Sequence, residues 1–379
     1  MIDSIELLKK LIKIKSDNPG HYEYEIAHFI SNLFHKHNID HEIIYSGDRR
    51  ANIIGYLHGK DEDSIIFSGH LDTKPPNKNW TYDPYTPVIK DNKVYGLGAA
   101  DMKGGLAAII AALIKNSKRK LNKTIYFIFT ADEEMNSTFG MKYLAKHGYV
   151  KGAFAIVAEP TNLKLATSSM GNIWFKVTVK GKTSHAGMYW KGINAIDVCM
   201  EIIREMKKVI KNRKYAQYPM FPNLNVGTIK GGTHPGIVPS DCEFTIDIRF
   251  LKREDQEYFE KKLKEIAKEV SRKYGCECAV TYFGGGGLPP WDIKDLNKSY
   301  VLKYLRIIEE SYMVVFKKPL EKTVFLGGSD AGILMSLLKI PTVIIGPGSL
   351  EQAHSPDEYV HIDEVIMATK LYSEIMRRC

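Results

Sequence analysis

Cysteine is scarce in this chain, and long apolar runs are missing. Five cysteines occur in 379 residues: Cys199, Cys242, Cys276, Cys278 and Cys379. Their odd number and their spacing fit neither a disulfide scaffold nor a metal finger, so they read as reduced thiols of a cytoplasmic protein. Cys276 and Cys278, two apart, read as same-face residues of a strand. No apolar stretch approaches the roughly 20 residues that a membrane span requires. Residues 1–15 place Ile5, Leu8, Leu11 and Ile12 at helical intervals among lysines, with Asp3 or Ser4 as a cap. The continuous apolar segment and cleavage site of a signal peptide are absent there. Internal repeats and low-complexity tracts are lacking too. No serine sits in a nucleophile-elbow pattern, which argues against a serine hydrolase. The glycines at 96, 98, 104 and 105 miss the dinucleotide-binding spacing.

What is present is an ordinary globular balance, 44% hydrophobic and 26% charged. The length exceeds that of one ordinary core, so two domains are expected. The net charge of +9 is spread as lysines over many amphipathic helices, without an aromatic-interleaved basic patch. Neither a nucleic acid nor a membrane is expected as a partner.

Along the chain, apolar runs alternate with helical patterns. Helices are expected near 1–15 and 22–37, strands near 41–44, 52–56 and 65–70, and a long loop over 77–93. A helix over 106–114 and strands over 124–130 and 155–158 follow. Near residue 172 the pattern changes to half-exposed strands and amphipathic helices in the order βαββαβ, a split-βαβ unit. Gly284-Gly285-Gly286-Gly287 followed by Pro289-Pro290 reads as a linker, after which the α/β pattern resumes. The expected fold is therefore α/β. Residues 1–172 and 288–379 form a mixed-sheet domain, and 173–287 form an inserted α+β, ferredoxin-like domain.

The organising stretch is Ser68-Gly69-His70-Leu71-Asp72-Thr73, fed by the apolar run Ile65-Ile66-Phe67. Ends of strands in open α/β sheets are where sites form. His70 and Asp72 point the same way from such an end, so His70 can bind a metal while Asp72 holds its other ring nitrogen. Taken alone, His-x-Asp also fits a satisfied structural histidine. Its company weighs against that: Asp101, Glu133, Glu134, Glu159 and His354 all fall just past expected strands or at loop ends. So many anionic and imidazole groups repel one another unless positive charge sits among them, and a pair of divalent cations bridged by a carboxylate resolves the conflict. Mixed histidine and carboxylate ligation suits zinc, with cobalt or manganese as substitutes. Glu133 and Glu134 are adjacent, so their side chains diverge, and one can ligate while the other faces a water.

Four motifs carry a resemblance: Gly69-His70-Leu71-Asp72-Thr73, Gly98-Ala99-Ala100-Asp101-Met102-Lys103-Gly104-Gly105, Ala131-Asp132-Glu133-Glu134 and Ala158-Glu159-Pro160-Thr161. Together, and in this order, they resemble the dinuclear zinc aminoacylase/carboxypeptidase family. That family includes acetylornithine deacetylase and succinyl-diaminopimelate desuccinylase. The resemblance implies metal-dependent hydrolysis of the amide of an N-acyl amino acid, as in lysine or arginine biosynthesis. A dipeptidase of the same family, or a metal-binding protein without activity, is the alternative.

The resemblance also implies roles for residues. His70, Asp101 and Glu159 would hold one metal, and Asp101, Glu134 and His354 the other, with Asp101 bridging. Asp72 would orient His70, and Glu133 would be the general base. In Gly181-Lys182-Thr183-Ser184-His185-Ala186-Gly187, His185 would steady the oxyanion across a homodimer built by the inserted domain. Arg249 would bind the substrate carboxylate, its plainer reading being a surface arginine paired with Asp247. Gly328 and Ser329, in Gly327-Gly328-Ser329-Asp330-Ala331, would lie near the other end of the substrate. One departure stands out: Gly236 occupies a position where the family often has Asn, and His234 is nearby to supply a polar contact.

Overall fold

The structure, a computed structural model, describes residues 2–215, 222–284, 287–296 and 298–379. It divides into two compact units, Met1–Ser169 with Asp292–Cys379, and Met170–Trp291. The inserted unit thus extends slightly beyond the expected 173–287. The reason lies at its base: the Asn172 N–H donates to the Leu288 carbonyl at 2.9 Å, and Asn172 Oδ1 accepts from the Leu288 N–H at 3.0 Å. Gly285 and Gly286 of the expected linker lie outside the described residues.

In the larger unit the helix Ser4–Lys13 starts where expected, with the Asp3 carboxylate accepting the Ile5 N–H at 2.8 Å. Its face of Leu7, Leu8, Leu11 and Ile12 is buried, and each such side chain contributes about 1.5–3 kcal/mol by leaving water. The helix Gly104–Asn116 is apolar on nearly all sides because it is enclosed, with Ile362–Arg378 packed along it.

A mixed sheet forms the core. It runs Asp40–Gly47, Arg50–Leu57, Leu121–Thr130, Gly59–His70, Phe154–Val157, Thr342–Ile344, Leu165–Ser169 and Trp291–Asp292, with Lys322–Phe325 also pairing with Leu165–Ser169. The four strands from Leu121–Thr130 to Thr342–Ile344 are mutually parallel. Buried on both faces, they read as unbroken apolar runs such as Ile125–Phe129. Their carboxyl ends therefore open on the same edge, and His70, the 131–134 turn and Glu159 all leave from it.

The smaller unit is an antiparallel sheet in the order Asn223–Gly231, Asp241–Phe250, Gly171–Lys180, Glu277–Tyr282, with the helices Ala195–Asn212 and Glu254–Tyr274 packed on one face. The order of elements is the split-βαβ one. Its strands alternate buried and exposed residues, because only one face is covered.

Several local expectations are corrected. The loop over 77–93 contains the short strand Val88–Lys90, paired with Lys93–Tyr95. The strand leading to His70 begins at Gly59, ahead of the expected 65–70, with a register shift between Asp61 and Ser64. The strands Leu165–Ser169 and Lys322–Phe325 and the helix Ile362–Arg378 had no counterpart in the expected element list.

Candidate active site

His70 ends its strand fully enclosed, 1% exposed. Its Nδ1–H donates to the backbone carbonyl of Asp72 at 2.8 Å, which leaves Nε2 facing inward. Asp101 Oδ1 lies 3.1 Å from that Nε2, and Glu133 Oε2 and Glu159 Oε1 each lie 3.9 Å from it. Asp72 meets the other ring nitrogen through its main chain. Its carboxylate stands 3.7 Å from His70 Nδ1, and its main-chain oxygen makes the bond instead. The carboxylate is turned away because two backbone N–H groups claim it: Glu133 donates to Oδ1 at 3.1 Å and Glu134 to Oδ2 at 3.2 Å.

Asp101 reaches the site from the irregular turn 99–103, where its own φ of −122° and ψ of 92° depart from a helix. Glu358 shapes this turn. Buried at 2% exposure, it accepts N–H groups from Gly98 at 2.9 Å, Ala100 at 2.8 Å and Asp101 at 2.9 Å. Burial, opposed by those bonds, pushes its carboxyl up to about 8. On the other side of Asp101, His354 Nε2 lies 3.4 Å from Asp101 Oδ2 and 3.1 Å from both Glu134 oxygens.

Two groups of potential metal ligands result, His70–Asp101–Glu159 and Asp101–Glu134–His354, the ligand atoms within each lying no more than 4.8 Å apart. Asp101 belongs to both, and Glu133 to neither. The electrostatics fit cation binding. Burial pushes the Glu133 and Glu159 carboxyls well up, and their acidic neighbours add to it. Burial lowers the His70 imidazole, but its bond to Asp101 and the charges of Glu159 and Glu133 outweigh that and hold it well above its usual range. Burial also raises the Glu134 carboxyl, yet His354 and Lys74 together draw it well down. Glu134 in turn raises His354 to about 9. Crowded acids and imidazoles that retain protons to balance charge are a donor set suited to divalent cations.

Beside the second group a cavity of about 50 Å³ is lined by Asn77, Trp80, Asp101, Glu134, His354 and Glu358, so the 77–93 segment does border the site. Lys74, four residues after His70, donates to the Glu134 carbonyl and lies 3.4 Å from Glu134 Oε2. Ser329 precedes the helix Asp330–Ser336; its hydroxyl is buried and has no hydrogen-bond partner among the described residues. Asp330 next to it takes hydroxyls from Thr130 at 2.6 Å and from Ser137, tying the Gly327–Gly328–Ser329 turn to the segment that carries Glu133.

His185 and Arg249 belong to the smaller unit. His185 is exposed, and its Nδ1 accepts the Gly187 N–H at 3.0 Å, which places the proton of a neutral ring on Nε2. The neighbouring Ala186 N–H donates to the Gly236 carbonyl at 3.0 Å. His234 repeats the device, its Nδ1 accepting the Gly236 N–H at 3.0 Å. Arg249 is engaged within its own strand: Nε and Nη2 both reach Asp247 Oδ2, at 2.9 and 2.7 Å.

Sequence reasoning missed the contacts of Lys74, Glu358 and Asp330. Lys74 adjoins the His70 motif and was within reach of inspection. Glu358 and Asp330 act across more than 190 residues, and no local spacing marks them.

The model of peptidase family M20/M25/M40 matches residues 66–378. An acetylornithine deacetylase of Pectobacterium carotovorum subsp. carotovorum (strain PC1) is 30% identical over 327 residues, covering 84% of this chain and 81% of that protein. A protein described as a probable succinyl-diaminopimelate desuccinylase, from Staphylococcus aureus (strain MRSA252), is 27% identical over 410 residues, covering 98% of this chain and 96% of the relative. Among solved structures, a tripeptidase from Staphylococcus aureus superposes with a TM-score of 0.82 at 23% identity, covering 100% of this chain and 99% of that one.

Proposed function

The chain belongs to peptidase family M20/M25/M40, and from that premise we propose that it is a deacylase of N-acyl amino acids working through two divalent cations, zinc in the first instance. The observation that carries the reading is the sharing of Asp101 between two ligand groups while Glu133, equally buried among them, stays outside both. His70, Asp101 and Glu159 would hold one cation, and Asp101, Glu134 and His354 the other. Cations held by these residues would supply Lewis-acid polarisation of the scissile carbonyl and a more acidic water.

The remaining work falls to side chains. Glu133, with no ligand duty, takes the proton of the attacking water and hands it to the leaving amine. The outward Nε2–H of His185 donates to the developing oxyanion. The guanidinium of Arg249, aligned by Asp247 along its Nε–Nη2 edge, would offer its Nη1–Nη2 edge to the substrate carboxylate in two-pronged fashion. The Gly328–Ser329 turn would face the far end of the substrate, where the Ser329 hydroxyl is free to bond.

His185 would act in a homodimer formed through the inserted unit. The strand Asn223–Gly231 supports this, being an edge strand with mostly exposed residues. A cytoplasmic setting is part of the same proposal: Cys276 Sγ and Cys278 Sγ stand 3.9 Å apart, unbonded. No helix among the described residues is long and apolar enough to cross a membrane.

The test is a substrate panel. The metal-stripped chain, reloaded with Zn²⁺ or Co²⁺, is assayed on N-acetyl and N-succinyl derivatives of basic amino acids and on dipeptides. Turnover of the acyl derivatives is expected. Turnover of dipeptides alone would make the chain a peptidase. Two bound metals without turnover of any amide would make it a binding protein.

A further inference from the structure

Behind the metal ligands lies a buried polar chain that belongs to neither ligand group. Its inner link is Asp72, whose carboxylate takes the Glu133 and Glu134 N–H groups. Asp72 Oδ2 also accepts from Asn18 Nδ2 at 2.9 Å, and the same amide nitrogen donates to Asp132 Oδ1 at 3.0 Å. Asn18 Oδ1 accepts from Arg50 Nη2 at 2.9 Å. That Nη2 lies 3.1 Å from Asp132 Oδ1, while Nη1 donates to Glu23 Oε1 at 2.7 Å. Glu23 Oε1 accepts the Asp132 N–H at 3.3 Å, closing the loop on the residue just before Glu133. The guanidinium carbon sits 4.1 Å from the centre of the Tyr22 ring and 5.2 Å from that of Phe139. Arg50, the most exposed of Asn18, Glu23, Arg50, Asp72 and Asp132, is 8% exposed.

Each link admits few replacements. Asn18 must donate twice on one side and accept on the other, which an aspartate cannot do. Arg50 must reach Glu23 with one nitrogen and Asn18 and Asp132 with another, a planar fork that lysine lacks. None of these five residues belongs to either ligand group. Their output is the placement of the Asp72 carboxylate and of the backbone at 132–134.

We propose that Arg50 and Asn18 are positioning residues: through Asp72 and Asp132 they set the Glu133–Glu134 turn, so that Glu134 meets Asp101 and His354 while Glu133 meets the substrate. The Glu133 half rests on the deacylase reading above; the Glu134 half does not. The arrangement predicts an asymmetry. Loss of the Arg50–Asn18 chain should loosen the Asp101–Glu134–His354 group more than His70–Asp101–Glu159, which Asp72 meets only through its main-chain oxygen.

The experiment uses the full chain, stripped of metal and titrated with Co²⁺ by absorption and calorimetry, in Arg50→Lys, Asn18→Ala and Asn18→Asp. Tyr126→Phe, which removes a buried hydroxyl bond to the Tyr149 carbonyl in the same unit, is the control for plain destabilisation. Melting temperature, kcat and KM are measured alongside. In the network variants one of two Co²⁺ equivalents should weaken about tenfold and kcat should fall about ten- to a hundredfold at nearly constant KM, as when a ligand loses its support. Asn18→Asp should be the worst, because it adds a carboxylate where two donors are needed. If Arg50→Lys does not fold, Asn18→Ala decides. Equal weakening of both equivalents, or variants that bind Co²⁺ and turn over like Tyr126→Phe at the same loss of melting temperature, would overturn the inference. Should the unaltered chain hydrolyse no acyl amino acid, the deacylase reading fails and the Co²⁺ titration still tests the Glu134 half.

Discussion

Glu133 and Glu134 are joined by one peptide bond but face different histidines. Glu133 Oε2 stands 3.9 Å from His70 Nε2, and Glu134 Oε1 stands 3.1 Å from His354 Nε2. The two N–H groups are pinned to one carboxylate, that of Asp72, so the pair turns as a unit while its side chains diverge.

This divergence gives two neighbouring substitutions opposite signatures. Glu133→Gln keeps the shape but cannot take a proton, so metal content should survive while kcat falls by about two to four orders of magnitude. Glu134→Gln should lose or weaken one metal, and added metal should restore part of the activity. Metal analysis beside steady-state kinetics separates them. The reverse pattern would exchange the two roles.

Asp101 belongs to both ligand groups. Asp101→Ala should therefore weaken both metals, measured by competition with a chelator. One site left at its original affinity would show that the carboxylate does not bridge.

Complementation tests the assembly. Chains with His185→Ala and chains with Glu133→Gln, each inactive alone, should regain part of the activity after mixing and subunit exchange if the histidine serves a partner. Mixed dimers without recovery would place His185 in its own chain's reaction, or outside it.

Arg249 is already aligned by Asp247 in the same strand. Arg249→Lys keeps the charge and loses the fork, so KM should rise about tenfold or more with kcat less affected. Asp247→Asn should raise KM in the same direction by freeing the guanidinium. An unchanged KM in both would reduce the pair to a surface ion pair.

Glu23 gives a pH dependence. Burial, and Asp72 beside it, push its carboxyl from 4.5 to about 8 against the pull of Arg50, and its Oε2 has no hydrogen-bond partner among the described residues. A folded pKa above the unfolded one means that the folded state binds the extra proton. This group's contribution to stability is therefore whole below 4.5 and is lost as pH rises to about 8. Glu23→Gln carries no such proton. Its melting temperature relative to the unaltered metal-free chain should improve between about pH 5 and pH 8. A difference that stays flat over that range would contradict the shift.

Three of the candidate ligands were legible because they sit in short motifs past an apolar run: His70 after Ile65-Ile66-Phe67, Glu134 after the strand Leu121–Thr130, Glu159 after Phe154–Val157. The βαββαβ order and the alternating strand Gly171–Lys180 likewise announced the inserted unit. What escaped was support at long range. Arg50 reads as an ordinary turn residue beside Arg49 until Glu23 and Asn18 fold against it. That the Asp72 carbonyl, not its carboxylate, accepts from His70 was not legible, since no sequence pattern tells the two oxygens apart. The strand Leu165–Ser169, with Thr167, Ser168 and Ser169 at its end, lacks the apolar run that marked the others.

The sheet order has a consequence for synthesis. Thr342–Ile344 lies between Phe154–Val157 and Leu165–Ser169, strands translated long before it. While the ribosome is still short of that segment, all four strands of the Met170–Trp291 unit have already emerged, and that unit can close on its own core. The larger unit waits with a gap in its middle. A nascent chain at this stage displays His70, Asp101, Glu133, Glu134 and Glu159 but not His354, so it can recruit at most an incomplete metal centre. Chaperone capture and premature aggregation should concentrate on this interval, when the two unpaired strand edges flanking the gap are exposed to other chains.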